Sequence, residues 1–94
     1  MSNMTSYRPI GRFDGSNAVA HEKELLALLV EEVNSVTIDL SELDYVSSAG
    51  LRVLLVTAKA AKGRGGKVIL ASPKPSILEV IRISGFDKIL EVQV

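Results

Sequence analysis

Thiol chemistry is closed to this chain, whose 94 residues contain no cysteine and a single histidine, His21. The missing cysteines exclude disulfides, thiolate nucleophiles and cysteine-ligated metals. A Ser-His-Asp hydrolase would have to use His21, which lies in the first turns of an expected helix. Ser48, preceded by Val46-Ser47, is not framed as G-x-S-x-G. His21 therefore reads as a satisfied or surface histidine. Gly63-Arg64-Gly65-Gly66-Lys67 invites a phosphate-loop reading and fails it. Val68 stands where Ser or Thr is needed, and the run precedes a strand rather than a helix. Ending a helix is enough to explain these glycines. Asp39, Glu42 and Asp44 could bind magnesium or do acid-base work, but without a nucleophile or second cluster they read as turn and solvation residues. No catalytic set or cofactor motif emerges, and the chain reads as non-enzymatic.

One segment asks for more: Asp39-Leu40-Ser41-Glu42-Leu43-Asp44-Tyr45-Val46-Ser47-Ser48-Ala49-Gly50-Leu51. Two hydroxyls and two small residues sit where a strand-to-loop crossover meets a helix start. An N-cap accounts for one serine, at about 1 kcal/mol. It does not account for Ala49 and Gly50, since glycine inside a helix costs roughly 1 kcal/mol. Either a small, flat approach surface or close packing of the helix on a neighbour would.

The elements that must position this segment follow from periodicity. Hydrophobic residues make up 47% of the chain with only two Tyr, two Phe and no Trp, so Leu, Ile, Val and Ala must build the interior. That suits buried parallel strands. A first strand is expected from Tyr7 to Phe13, ending at Asp14-Gly15. Ser16 then caps a helix to about Val33, with Leu25, Leu28, Leu29 and Val33 inward. Val36 to Leu40 is a β-branched strand, and Ser41 to Val46 crosses to a second helix opening at Ser47-Ser48. Leu51, Leu54, Leu55, Ala58 and Ala61 share one face of that helix. Arg52, Lys59 and Lys62 point away, which suits an acidic partner or an ordinary wet face equally. Val68 to Ala71, a Pro73/Pro75-initiated helix ending at Gly85, and Ile89 to Val92 complete the pattern. Alternating strands and helices predict one α/β domain with a mostly parallel central sheet and crossover helices packed on it. Eleven basic residues balance eleven acidic ones, which argues against nucleic acid as main partner. No apolar run approaches the roughly 20 residues of a membrane span, and MSNMTSYRPI lacks a signal pattern. A cytoplasmic protein is expected.

The Asp39–Leu51 stretch resembles the signature of STAS domains, specifically bacterial anti-sigma-factor antagonists: a strand, an Asp-Leu-Ser-like step, an apolar pair, then Asp-Ser-Ser/Thr-Gly-Leu. Gly11-Arg12-Phe13-Asp14 is similar to that family's Gly-x-Leu-Asp turn, Gly65-Gly66-Lys67-Val68 to its glycines before a strand, and Ser72-Pro73 with Ile83-Ser84-Gly85-Phe86-Asp87-Lys88-Ile89 to its third-helix boundaries. The resemblance spans roughly residues 7 to 94, with residues 1–6 expected to be a flexible N-terminus of a single domain. It implies partner switching in transcription control. The bare antagonist binds a serine kinase of the histidine-kinase-like ATPase class that is also an anti-sigma factor; phosphorylation by that kinase ejects it, and a serine phosphatase resets it. By position the acceptor is Ser48, with Ser47 as rival because serine replaces the family's aspartate there; Ala49 replaces the next hydroxyl. Asp14 is placed beside the acceptor, where it helps engage the kinase or simply forms an Asx turn before Ser16. The implied partner surface comprises Asp14, Ser47, Ser48, Ala49, Gly50 and Arg52. The altered acceptor motif keeps open a docking subunit of a transport or stress-signalling complex without a phospho-switch. One N-terminal strand is expected where relatives commonly have two, and an exposed edge or apolar face leaves room for self-association.

Overall fold

The computed structural model describes residues 4–94, and its N-terminal part holds two strands where one was expected. β1 runs Met4–Tyr7 and β2 runs Gly11–Phe13. Pro9 between them has no amide hydrogen for a ladder, and Gly11 takes φ 76, a left-handed conformation that a Cβ disfavours. The extended chain thereby leaves one sheet and enters another. Met4, Thr5 and Ser6, expected in a flexible N-terminus, belong to β1; residues 1–3 of that expectation lie outside the described residues.

β3 (Ser35–Asp39), β5 (Val68–Ala71) and β6 (Glu91–Gln93) join β1 in a four-stranded sheet of order β1-β3-β5-β6, every pairing parallel. The crossing segment after Ser41 contains a further strand, β4 (Leu43–Val46), paired in parallel with β2 in a separate two-stranded sheet. Sequence pattern hides β4 because its buried residues, Leu43 and Val46, are three apart with Asp44 and Tyr45 exposed between them. That is not the two-residue period of a half-buried strand. The last strand falls later than Ile89–Val92. A one-turn 3-10 helix, Phe86–Lys88, precedes it, and the Leu90 amide bonds the Phe86 carbonyl at 2.8 Å, keeping Ile89 and Leu90 out of the ladder.

Three helices cross over: α1 (Ala18–Leu28), α2 (Ser48–Gly63) and α3 (Pro75–Ile83). α1 is shorter than expected at both ends. Ser16 does not cap it, because its hydroxyl and amide are both bonded to Asp14, and Asn17 stands at the N-cap without a side-chain cap bond. Beyond Leu28 the Arg64 guanidinium donates to the carbonyls of Glu31 at 2.6 Å and Val33 at 3.1 Å, holding that segment as a turn. α3 behaves as expected, with Pro75 in its first turn and Gly85 at φ 80 behind it.

Strand order rises in one direction, so right-handed crossovers place the helices on one face. Alternation along the strands agrees. Val36, Ile38, Leu40, Val68 and Leu70 share one buried cluster with Leu25, Leu51, Leu54, Ile77 and Ile81. Thr37, Asp39 and Ala71, of opposite parity, are half-buried. α2 is buried on a wider arc than its leucine stripe implies, since Val53 and Thr57 are also covered and α1 packs alongside. The buried Thr57 hydroxyl is satisfied by the Val53 carbonyl at 2.8 Å.

Candidate functional site

β2 and β4 exist, in effect, to bring two chain turns together. Phe13 pairs with Val46 in register, and just beyond that pair the Ser47 amide donates to the Phe13 carbonyl at 2.9 Å. Asp14 is the next residue on one side of this bond and Ser48 the next on the other. Phe13 is wholly buried, so the link is anchored in the core.

The two serines have different duties. Ser47 is the N-cap of α2, with φ −94 and ψ 175, and its side-chain oxygen accepts from the Gly50 amide at 3.3 Å. Its carbonyl accepts the first helical bond, from the Leu51 amide at 2.9 Å. Amide, carbonyl and hydroxyl of Ser47 are all engaged. Ser48 is the first helical residue, is exposed, and its hydroxyl has no side-chain hydrogen bond among the described residues. Gly50 is explained by close packing: a Cβ there would lie 2.6 Å from the Phe13 carbonyl oxygen and 2.8 Å from Val46 Cγ2. Ala49 is half-buried against the core edge. With Arg52, Val53 and the α1 residues Ala18, Val19 and Glu22 it lines a groove of about 280 Å³ directly beside Ser48.

Asp14 fills the turn role foreseen for it. Its carboxylate accepts from the Ser16 amide at 3.0 Å, the Ser16 hydroxyl at 2.5 Å and Arg12 Nε at 3.1 Å. These bonds, those of Ser16 first, hold its pKa below the usual carboxylate range. Asn17 braces the same loop, accepting from the Asp14 amide at 3.0 Å and donating to the Arg12 carbonyl at 2.7 Å. Arg12 also stacks its guanidinium 4.4 Å from the ring centroid of Tyr45, its partner in the β2–β4 register. No sequence spacing signalled that pair, since it depends on β4.

Elsewhere the candidates separate. Asp39 is turned back onto the Ser41 amide at 2.9 Å and Asp44 is paired with Lys74. Among the described residues no group of acidic or histidine side chains could hold a metal. His21 is a satisfied histidine: its Nδ1 lies 2.6 Å from the Tyr7 hydroxyl, and its ring packs on Phe13 with centroids 4.5 Å apart. The Tyr7 hydroxyl donates in turn to Glu24, and burial together with that carboxylate pushes the phenol pKa up. Among the described residues no helix is long and apolar enough to cross a membrane.

A capped helix start with a bare hydroxyl, laced to a Gly-Arg-Phe-Asp turn, is the feature to set against known proteins. The STAS domain family model matches residues 2–94. This chain belongs to the STAS domain family. One relative, BtrV of Bordetella bronchiseptica, a protein named as an anti-sigma factor antagonist, is 43% identical over 82 residues, which cover 87% of this chain and 71% of BtrV. Among solved structures, a Thermotoga maritima protein named as an anti-sigma factor antagonist superposes with a TM-score of 0.91 at 21% identity, covering 100% of this chain and 81% of that one. The anti-sigma factor antagonist SpoIIAA in its unphosphorylated form matches with a TM-score of 0.83 at 18% identity, over 99% of this chain and 83% of SpoIIAA. SpoIIAA of Bacillus in its phosphorylated form matches with a TM-score of 0.74 at 18% identity, over 99% and 86%. At these identities the structures speak for the STAS fold, and BtrV for the antagonist branch of the family.

Proposed function

We propose that this STAS domain is an anti-sigma factor antagonist whose binding is switched by phosphorylation of Ser48. The observation that carries the reading is the division of labour at the start of α2: Ser47 is spent on capping, while Ser48 offers an exposed hydroxyl with no side-chain hydrogen bond among the described residues. The name of BtrV supports the antagonist role, and the existence of a phosphorylated SpoIIAA supports this kind of modification within the fold. The bare domain binds a serine kinase of the histidine-kinase-like ATPase class that doubles as an anti-sigma factor. The Ser48 oxygen attacks the γ-phosphorus of ATP, loses its proton and releases ADP. Hydrolysis of the ester by a serine phosphatase restores the hydroxyl.

A phosphate at this place changes binding and spares the fold. It adds roughly −1.5 to −2 charges at pH 7, and a helix start favours an anion by about 0.3–1 kcal/mol. On the partner side the dianion must be desolvated against a surface that fitted a neutral hydroxyl. Losses of that kind are on the order of 2–5 kcal/mol, with about 1.4 kcal/mol for each tenfold in affinity.

Incubation with ATP and the cognate kinase is expected to place phosphate on Ser48, and Ser48→Ala to abolish it. Phosphate retained in that variant and mapped to Ser47 would move the acceptor by one residue. Ser48→Asp is expected to weaken kinase binding at least about tenfold with an unchanged melting temperature. If Ser48 stays bare under a kinase that binds the domain, the docking role without a phospho-switch is the reading that survives.

A further inference from the structure

Arg52 is a charged side chain of the Ser48 surface with no ion-pair or hydrogen-bond partner among the described residues. It is exposed one helical turn after Ser48, at the i, i+4 spacing that puts two side chains on one face. Side chains on a helix lean toward its N-terminus, so Arg52 is tilted toward the turn that carries Ser48. The ion pairs among the described residues are Arg12–Asp14, Lys67–Glu91 and Lys74–Asp44, and Arg52 is in none of them. The other guanidinium near the site, Arg12, is already held by Asp14 and by the Tyr45 ring. Residues 45–78 contain six cations, Arg52, Lys59, Lys62, Arg64, Lys67 and Lys74, and no carboxylate. The acids facing this place come from other elements: Glu22 of α1, which lines the same groove without pairing with Arg52, and Asp14, which is committed to Ser16 and Arg12.

We propose that Arg52 is the built-in counter-ion of the Ser48 phosphate: once phosphate is present, the guanidinium folds back one turn onto it and is withdrawn from the partner-facing surface. This rests on the reading that Ser48 carries the phosphate, and it adds how the modification is read out. An unpaired cation beside a neutral hydroxyl becomes an internally neutralised ion pair beside an excess negative charge. A partner that uses a carboxylate against Arg52 loses that contact at the same moment as it meets the phosphate. Guanidinium suits the task because it can grip two phosphate oxygens at once, which an ammonium cannot.

The test uses the full chain with phosphoserine genetically encoded at position 48, so that no kinase is involved. Phosphorus NMR against pH reads the second ionisation of the phosphate, near pH 6 for free phosphoserine. The pair predicts a midpoint about half a pH unit lower with Arg52 than in Arg52→Gln, roughly a threefold difference in proton affinity. The helix start lowers both midpoints alike, so their difference isolates Arg52. Arg52→Lys is expected to keep part of the effect and Arg12→Gln to leave it intact. In about 1 M salt the difference should collapse. Equal midpoints for the parent and Arg52→Gln, with circular dichroism showing both folded, would overturn the proposal. So would a shift produced by Arg12→Gln instead. A kinase that never modifies Ser48 would overturn the switch while leaving this titration as it is, so the two failures are told apart.

Discussion

Two helix starts lie side by side on this domain, and they are built in opposite ways. At the start of α1 the polar groups are consumed by one another: Asp14 by Ser16 and Arg12, Asn17 by the Asp14 amide and the Arg12 carbonyl. That loop is cross-bonded by its own side chains. At the start of α2 a single hydroxyl, that of Ser47, does the capping, and Ser48 is left over. The first start is a brace and the second is a presented group. Phe13 joins them, since its carbonyl holds Ser47 and its own successor is Asp14. Which polar group is available at this corner is thus a matter of which one the fold leaves unspent.

The comparison can be broken most forcibly at Gly50. Gly50→Ala would press a methyl group against the Phe13 carbonyl and Val46, both on fixed elements, and is expected to cost about 1–3 kcal/mol in urea unfolding, as overpacking does. A stability equal to the parent would mean that the β2–β4 corner yields and is no brace. The next effect separates the serines. Ser47→Ala removes the cap and should cost about 1 kcal/mol, whereas Ser48→Ala should stay within about 0.5 kcal/mol of the parent. Reversed values would hand the cap to Ser48 and remove the ground for treating it as the acceptor.

The smallest effect is a pH dependence at the α1 start. The Asp14 pKa is lowered in the fold by Ser16 and Arg12, so its ionised form favours the native state. That contribution is present above the unfolded carboxylate pKa, near 4, and is lost as pH falls through the lower folded value. Asp14→Asn should therefore melt slightly below the parent at pH 7, with the gap closing under about pH 4. A gap independent of pH would point to the geometry of the turn rather than to its charge.

How far the sequence could be read varies with the range of the interactions involved. α3 was legible almost residue by residue, because Pro75, the Ile77/Ile81 spacing and Gly85 act within a turn or two of chain. The start of α2 was legible as a helix start with a cap. The ends of α1 were not. Ser16 is a good capping residue whose hydroxyl was captured by Asp14, and the stretch after Leu28 is held by Arg64, more than thirty residues away. β4 was not legible because its buried residues, Leu43 and Val46, are three apart, and its partner, β2, was concealed inside a single expected strand. The sequence leaves His21 as either a satisfied or a surface histidine; the structure shows it satisfied, by the Tyr7 hydroxyl, which in turn bonds Glu24, and neither group could be named from the sequence.

From its sequence alone this protein declared an α/β domain, the absence of thiol chemistry, a resemblance to STAS domains and the short run from Asp39 to Leu51 as the place to look. Those are matters of composition and of contacts close along the chain. Which serine caps and which stays bare, why position 50 has no room for a methyl group, and whether Asp14 is free or braced were decided only when β2 and β4 paired. That pairing sets Phe13 against Ser47 across more than thirty residues, and hydrogen-bond partners at such separations are chosen by the packing of the whole domain.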